Sequence, residues 1–284
     1  TIVAGNVDFE QQVRNAPITI NQAGRSGEVP VFRGATDPLM RPWYEAKAHG
    51  DGKGNVEWPT PTQQAESVHG AQAIVDLANA HPGDIDLIAI GPLTNVALAL
   101  ALDRELPSKI RELWIMGGCD NSQGNVTAAA EYNFFVDPEA AQMVLSAGFA
   151  TTIVTWTLTL AQATWDDEQL EKIHQMGTPL SEFFSILDAP NREHNGSVGI
   201  PGSTHPDSLT AMLLVEPGLI RRSSQRYVEV ETHSESTRGY SLMDVRETRP
   251  LGDRKHNATV IDEVDEQGFY AKFVALLETH GQRR

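Results

Sequence analysis

The residues of this chain best suited to chemistry are amides and carboxylates, and they fall where predicted strands end. In chain order they are Gly5-Asn6, then Gly91-Pro92-Leu93-Thr94-Asn95, then Met116-Gly117-Gly118 and a polar loop running to Glu131 and Asn133. Asp207 joins them, at the mouth of a helix that follows a Gly-rich loop. In open α/β sheets ligands bind outside the carboxyl ends of the strands, so these residues converge. Each hydroxyl of a sugar is donor and acceptor at once, and amides and carboxylates satisfy both roles. The set therefore points to a polyhydroxylated ligand. A Gly-rich phosphate loop, a Lys-Ser/Thr pair and a GxSxG elbow are all absent from the sequence.

Taken singly, each residue has a blander reading. Asn6 serves as a turn-former, Asp137 and Asp207 as helix N-caps, and Met116 as core. Glu131 and Asn133 read as solvated loop residues, and Thr94-Asn95 as the start of a helix. Joint occurrence at strand ends, in one order, is what favours a site.

The elements that must position them alternate. Thr1-Ile2-Val3-Ala4 reads as the second half of a strand, and a helix from Asp8 must absorb Pro17. Pro30 to Gly34 is a short predicted strand, and Gln63 to Ala80 a helix. Strands follow over 85–90, 112–116 and 151–156, separated by an Ala/Leu helix over 93–102 and a helix opened by Asp137-Pro138. Helical pattern over 166–188 gives way to a Gly/Pro/His loop over 190–206, with a helix from Asp207. Antiparallel strands are predicted over 226–232, 239–245 and 258–264, before a last amphipathic helix from Asp265. This is an α/β fold: an open, mostly parallel sheet flanked by helices, with a Rossmann-like core. No linker-like shift in composition appears, so one domain spans 1–284. Residues 35–62 are rich in Pro, Gly, Asp and Trp and contain His49-Gly50-Asp51-Gly52. A loop of that length in a compact domain is usually functional.

Composition narrows the partners. Lys+Arg number 22 against Asp+Glu 38 in 284 residues, a net charge of −16. Nucleic acid and anionic membrane both select a basic face, so neither is expected. Cys119 is the single cysteine, which excludes an intrachain disulfide and a Cys-based zinc site. It fits a reducing, cytoplasmic setting. No apolar run reaches the roughly 20 residues of a spanning helix.

Several motifs together resemble the inosine-uridine nucleoside hydrolases, calcium-dependent ribohydrolases that cleave the N-glycosidic bond. They are Ile2-Val3-Ala4-Gly5-Asn6, Gly91-Pro92-Leu93-Thr94-Asn95-Val96-Ala97, Met116-Gly117-Gly118, Gly124-Asn125-Val126-Thr127, and Ala130-Glu131-Tyr132-Asn133 with Asp137-Pro138-Glu139-Ala140-Ala141. The resemblance runs from Thr1 to about Val245. It implies that Asn6, Asn125, Glu131 and Asn133 hold ribose hydroxyls, the last two toward the 5′ end, and that Met116 lines the sugar pocket. It implies calcium bound by the Thr94 backbone carbonyl and by Asp207, whose carboxylate also meets a ribose hydroxyl. The loop with His49 resembles a mobile segment that closes over the base. A homodimer or homotetramer and a place in nucleobase salvage follow from the same resemblance, as does a purine nucleosidase activity, although purine and pyrimidine substrates stay open.

Two departures stand out. The family's Asp-rich DxDxGxDD motif, which supplies most calcium carboxylates, belongs just ahead of Thr1, with a first strand and helix. In many members a His directly precedes the metal Asp and protonates the leaving base. Here Pro206 intervenes, so His205 is offset by one position as that proton donor. The alternative reading is an inactive nucleoside- or ribose-binding homologue that lacks the metal carboxylates.

Overall fold

The computed structural model describes residues 1–246 and 254–279. Its centre is a six-stranded sheet in the order β1-β2-β3-β8-β6-β7. Strands β1 (Ile85–Ala89), β2 (Ile110–Met116), β3 (Thr151–Val154) and β8 (Ala258–Val264) run parallel. Strand β6 (Ile220–Val230) pairs antiparallel with β8, and β7 (Ser241–Asp244) antiparallel with β6. The expected mostly parallel sheet with antiparallel strands late in the chain is what forms.

Alternation along each strand builds two cores. On β2, Leu113 and Ile115 face one side while Trp114 faces the other. The first layer holds helices α2 (Gly70–Ala80), α3 (Thr94–Leu102) and α6 (Pro138–Leu145), packed on Leu113, Ile115, Ile153 and Val260. The second holds α7 (Trp156–Gln162), α8 (Asp167–His174), α10 (Pro206–Val215) and α11 (Glu266–Thr279), packed on Trp114, Val154 and Ile261. Each fully buried Leu or Ile contributes about 1.5–3 kcal/mol of transfer free energy, so this two-sided burial dominates the fold.

Several local expectations are revised. Thr1 to Ala4 and Pro30 to Gly34 form only isolated bridges, Ile2 with Arg33 and Phe32 with Glu66, rather than strands. The helix read over 63–80 begins only at Gly70, capped by the His69 side chain. Helix α1 (Phe9–Gln22) absorbs Pro17 as expected, and Asp8 caps it. The stretch read as one helix over 166–188 is two, α8 and α9 (Pro179–Ser197), and α9 runs through the predicted loop despite Pro190. A two-stranded ribbon joins β4 (Thr164–Trp165) to β5 (Ser203–Thr204). Among the described residues no helix is long and apolar enough to cross a membrane.

Candidate functional site

At the carboxyl ends of β2 and β3 a cavity of about 950 Å³ opens. Asn6, Met116, Asn125, Glu131, Asn133, His205 and Asp207 all line it, as does His49. The cavity thus gathers these residues from six separate stretches of sequence. Thr94 does not line the cavity; its hydroxyl donates to Asp137 Oδ2 at 2.6 Å.

Glu131 is the N-cap of the short helix α5 (Tyr132–Val136). Its Oε1 accepts from the Asn133 N–H at 2.8 Å, and its Oε2 from the Gly118 N–H at 2.9 Å. That second bond requires close approach of the backbone at Gly117-Gly118. A Cβ on Gly117 would lie 2.5 Å from the Phe134 ring, and Gly118 has φ +72°. Glu131 is only 2% exposed, and burial pushes its pKa up to about 7 against the pull of three backbone N–H groups. Asn133 donates from Nδ2 to the Met116 carbonyl at 3.0 Å, and Asn125 Oδ1 accepts from the Tyr132 N–H at 2.9 Å. The carboxylate and both amides are therefore pre-oriented by backbone groups.

Asn6 is positioned from the opposite wall. The Gly5 carbonyl accepts from Trp43 Nε1 at 2.7 Å and from the Tyr132 hydroxyl at 2.6 Å. The Asn6 carbonyl accepts from the Ala46 N–H at 3.0 Å. Its side chain remains free to meet a ligand, half-buried in the cavity wall. Asn95, by contrast, is a stitch: it accepts from the Ala35 N–H at 2.8 Å and donates to the Ile2 carbonyl at 2.9 Å.

Asp207 sits in the first turn of α10, behind Pro206, with His205 as the N-cap residue. It is therefore not itself the cap. Burial raises its pKa to about 7, and among the described residues no hydrogen-bond donor offsets that. A carboxylate held this way is suited to a cation. Asp207 thus fits one ligand position of an oxygen-coordinated ion such as calcium, which takes about six to eight oxygens. Among the described residues, no group of three or more His, Cys, Asp and Glu side chains gathers at metal-binding range.

His205 is 7% exposed and stacks on Trp165, ring centroids 4.1 Å apart, beside Phe184 at 5.3 Å. Among the described residues its Nε2 has no hydrogen-bond partner. Burial lowers its pKa to about 3, so the ring is neutral near pH 7.

The other end of the cavity was not legible in the sequence. Asp188, Asn191, His194 and Asn195 of α9 line it, together with Phe184 and Trp156. Burial lowers the pKa of His49, and the neighbouring His194 lowers it further. The Pro and Gly content of 190–206 suggested a loop and hid this helical face, although the 188, 191, 195 spacing is a helical stripe.

The family model described as inosine-uridine preferring nucleoside hydrolase matches residues 1–271. A pyrimidine-specific ribonucleoside hydrolase RihA from Photobacterium profundum is 34% identical over 273 residues, covering 95% of this chain and 86% of that one. RihB of Escherichia coli O157:H7, also named pyrimidine-specific, is 33% identical over 86% of this chain and 77% of its own. Among solved structures, a purine-preferring ribonucleoside hydrolase from Gardnerella vaginalis superposes with a TM-score of 0.87 at 27% identity, covering 97% of this chain and 87% of that one.

Proposed function

The chain belongs to the inosine-uridine preferring nucleoside hydrolase family, and from that premise we propose that it hydrolyses ribonucleosides to ribose and free base through a calcium-assisted, oxocarbenium-like transition state. The observation that carries this reading is the convergence of Asn6, Asn125, Glu131, Asn133 and Asp207 on one cavity. Its walls pair acceptors with donors, as a ribose ring requires.

In this reading Glu131 and Asn133 hold the 5′ end of the sugar, Asn6 and Asn125 its other hydroxyls, and Met116 packs against the ring. Asp207 would hold the calcium from the cavity wall, and the Thr94 carbonyl, which lies outside the cavity lining, is assigned to the ion by the resemblance alone. When bound, the ion would supply Lewis-acid activation of the attacking water and affinity for the sugar hydroxyls. Positive charge that develops on the ring as the glycosidic bond breaks is favoured by the Glu131 and Asp207 carboxyls, oriented before the reaction begins. His205, offset by Pro206, is neutral in this site. A neutral imidazole can still donate a hydrogen bond to a departing base, and that is the role we assign it. His49 closes the base end from its loop.

A cytoplasmic homodimer or homotetramer acting in nucleobase salvage is consistent with this reading. The test is direct: the protein is incubated with uridine, cytidine, inosine and adenosine, with and without calcium. Free base and ribose in equal amounts support the proposal. Binding without release of either supports the non-catalytic alternative.

A further inference from the structure

We infer that Asp188 and Asn191, held by Ser203, read the distal edge of the base and select nucleosides whose base carries an exocyclic amine. The inference rests on the hydrolase reading for its substrate class, and on the following geometry for its direction.

Asp188 and Asn191 lie one turn apart on α9 and both line the cavity. Behind them Ser203 is fully buried on β5, where it pairs with Trp165 of β4. The turn into that ribbon is tight: Gly202 has φ +79°, and a Cβ there would lie 1.9 Å from the Trp165 carbonyl oxygen. Ser203 is thus a fixed point. Its hydroxyl donates to Asp188 Oδ1 and accepts from Asn191 Nδ2 at 2.8 Å. Asn191 Nδ2 also points at the Thr204 carbonyl, 3.5 Å away.

The donors of this network are therefore turned inward. What remains for a ligand is acceptor capacity: Asp188 Oδ2 and Asn191 Oδ1. Burial raises the Asp188 pKa, while the hydrogen bonds from Ser203 and Asn191 and the charge of Arg192 limit the rise. Arg192 itself is turned to Asp167, at 2.5 Å, rather than to the cavity.

An acceptor pair containing a carboxylate matches an edge that donates. The 4-amine of cytosine and the 6-amine of adenine do so, and a charge-assisted bond to them is strong. Uracil and hypoxanthine present a carbonyl oxygen at the corresponding position, which would face the carboxylate lone pair to lone pair. A site built to pair with one polar group rejects the analogue that leaves its groups unpaired.

The experiment compares kcat/KM for cytidine with uridine, and for adenosine with inosine, in the wild type, Asp188→Asn and Glu193→Gln. Glu193 is an exposed carboxylate on the same helix that does not line the cavity, and serves as the control. The wild type should favour the amine-bearing member of each pair by roughly tenfold or more. Asp188→Asn keeps an acceptor for Ser203 but can offer an N–H to a carbonyl, so the preference should fall by about tenfold. Glu193→Gln should leave it in place. Should Asp188→Asn fail to fold, Asn191→Ala should lower the same ratio. Calorimetric binding of cytidine and uridine reads the discrimination without turnover. Binding discrimination with no hydrolysis would overturn the hydrolase reading and leave this inference standing. Hydrolysis with a wild-type preference for the carbonyl bases, or a ratio unmoved by Asp188→Asn, would overturn the inference alone.

Discussion

The Tyr132 hydroxyl lies 2.6 Å from the carbonyl oxygen of Gly5, 127 residues away in sequence. Tyr132 follows Glu131 and precedes Asn133, while Gly5 precedes Asn6. This one contact therefore ties two walls of the candidate sugar site to each other. Trp43 Nε1 reinforces it on the same carbonyl, and the Tyr44 carbonyl lies 2.6 Å from the same hydroxyl.

Tyr132→Phe removes the hydroxyl, and with it the contacts to the Gly5 and Tyr44 carbonyls, and leaves the ring in place. The net loss of one intramolecular hydrogen bond is about 1 kcal/mol, because Trp43 still satisfies Gly5. Thermal unfolding should fall by about 2–4 °C. The larger effect should be on kcat/KM, roughly three- to tenfold, through displacement of Asn6 from the sugar. A variant with lowered stability and unchanged kcat/KM would show that Asn6 does not depend on the clamp.

Asp207→Ala should weaken both sugar and calcium binding, with turnover reduced by roughly a hundredfold or more. Steady-state kinetics across a calcium titration read both effects. An Asp207→Ala protein with unchanged turnover would remove Asp207 from the mechanism.

Glu131 links the site to pH. Its pKa is raised from 4.5 to about 7, so between those values the folded state holds a proton that the unfolded state has lost. Stability from this group therefore falls as pH rises from about 4.5 through 7, the reverse of a salt-bridged carboxylate. Denaturant unfolding at pH 5 and pH 8 should show the protein without ligand more stable at the lower pH. Glu131→Gln should reduce that difference, leaving the part that comes from Asp207, whose pKa burial also raises to about 7. An equal slope in the variant would place its origin elsewhere.

The sheet was the most legible part of the molecule. Strands such as 258–264, read from β-branched runs, form with those bounds because their side chains are buried on both faces. The motif residues from Met116 to Asn133 were also legible, since Glu131 must cap α5 while reaching Gly118, which restricts both positions. The base end was not. Asn191 and His194 join Asp188 on one helical face only because α9 continues past Pro190, and α9 packs against the turn that contains His49. Ser203 was equally silent, because a two-residue ribbon has too short a pattern to read.

His205 offers a separate test of the leaving-group step. With its pKa lowered to about 3, it contributes no titration between pH 5 and 8. The pH profile of kcat/KM in that range should keep its shape in His205→Gln, while the rate itself drops through loss of the hydrogen-bonding ring. Disappearance of an alkaline limb near neutrality in the variant would instead make His205 the proton donor.

The account's central claim is cleavage of the ribonucleoside N-glycosidic bond by water. The most direct measurement follows cytidine in phosphate-free buffer with calcium, quantifying base and ribose together, with ¹⁸O-labelled water as the oxygen source. The account predicts equal release of cytosine and ribose, with the label at the anomeric hydroxyl of ribose. Unlabelled ribose, or intact cytidine and equally intact uridine, inosine and adenosine after prolonged incubation, would contradict it.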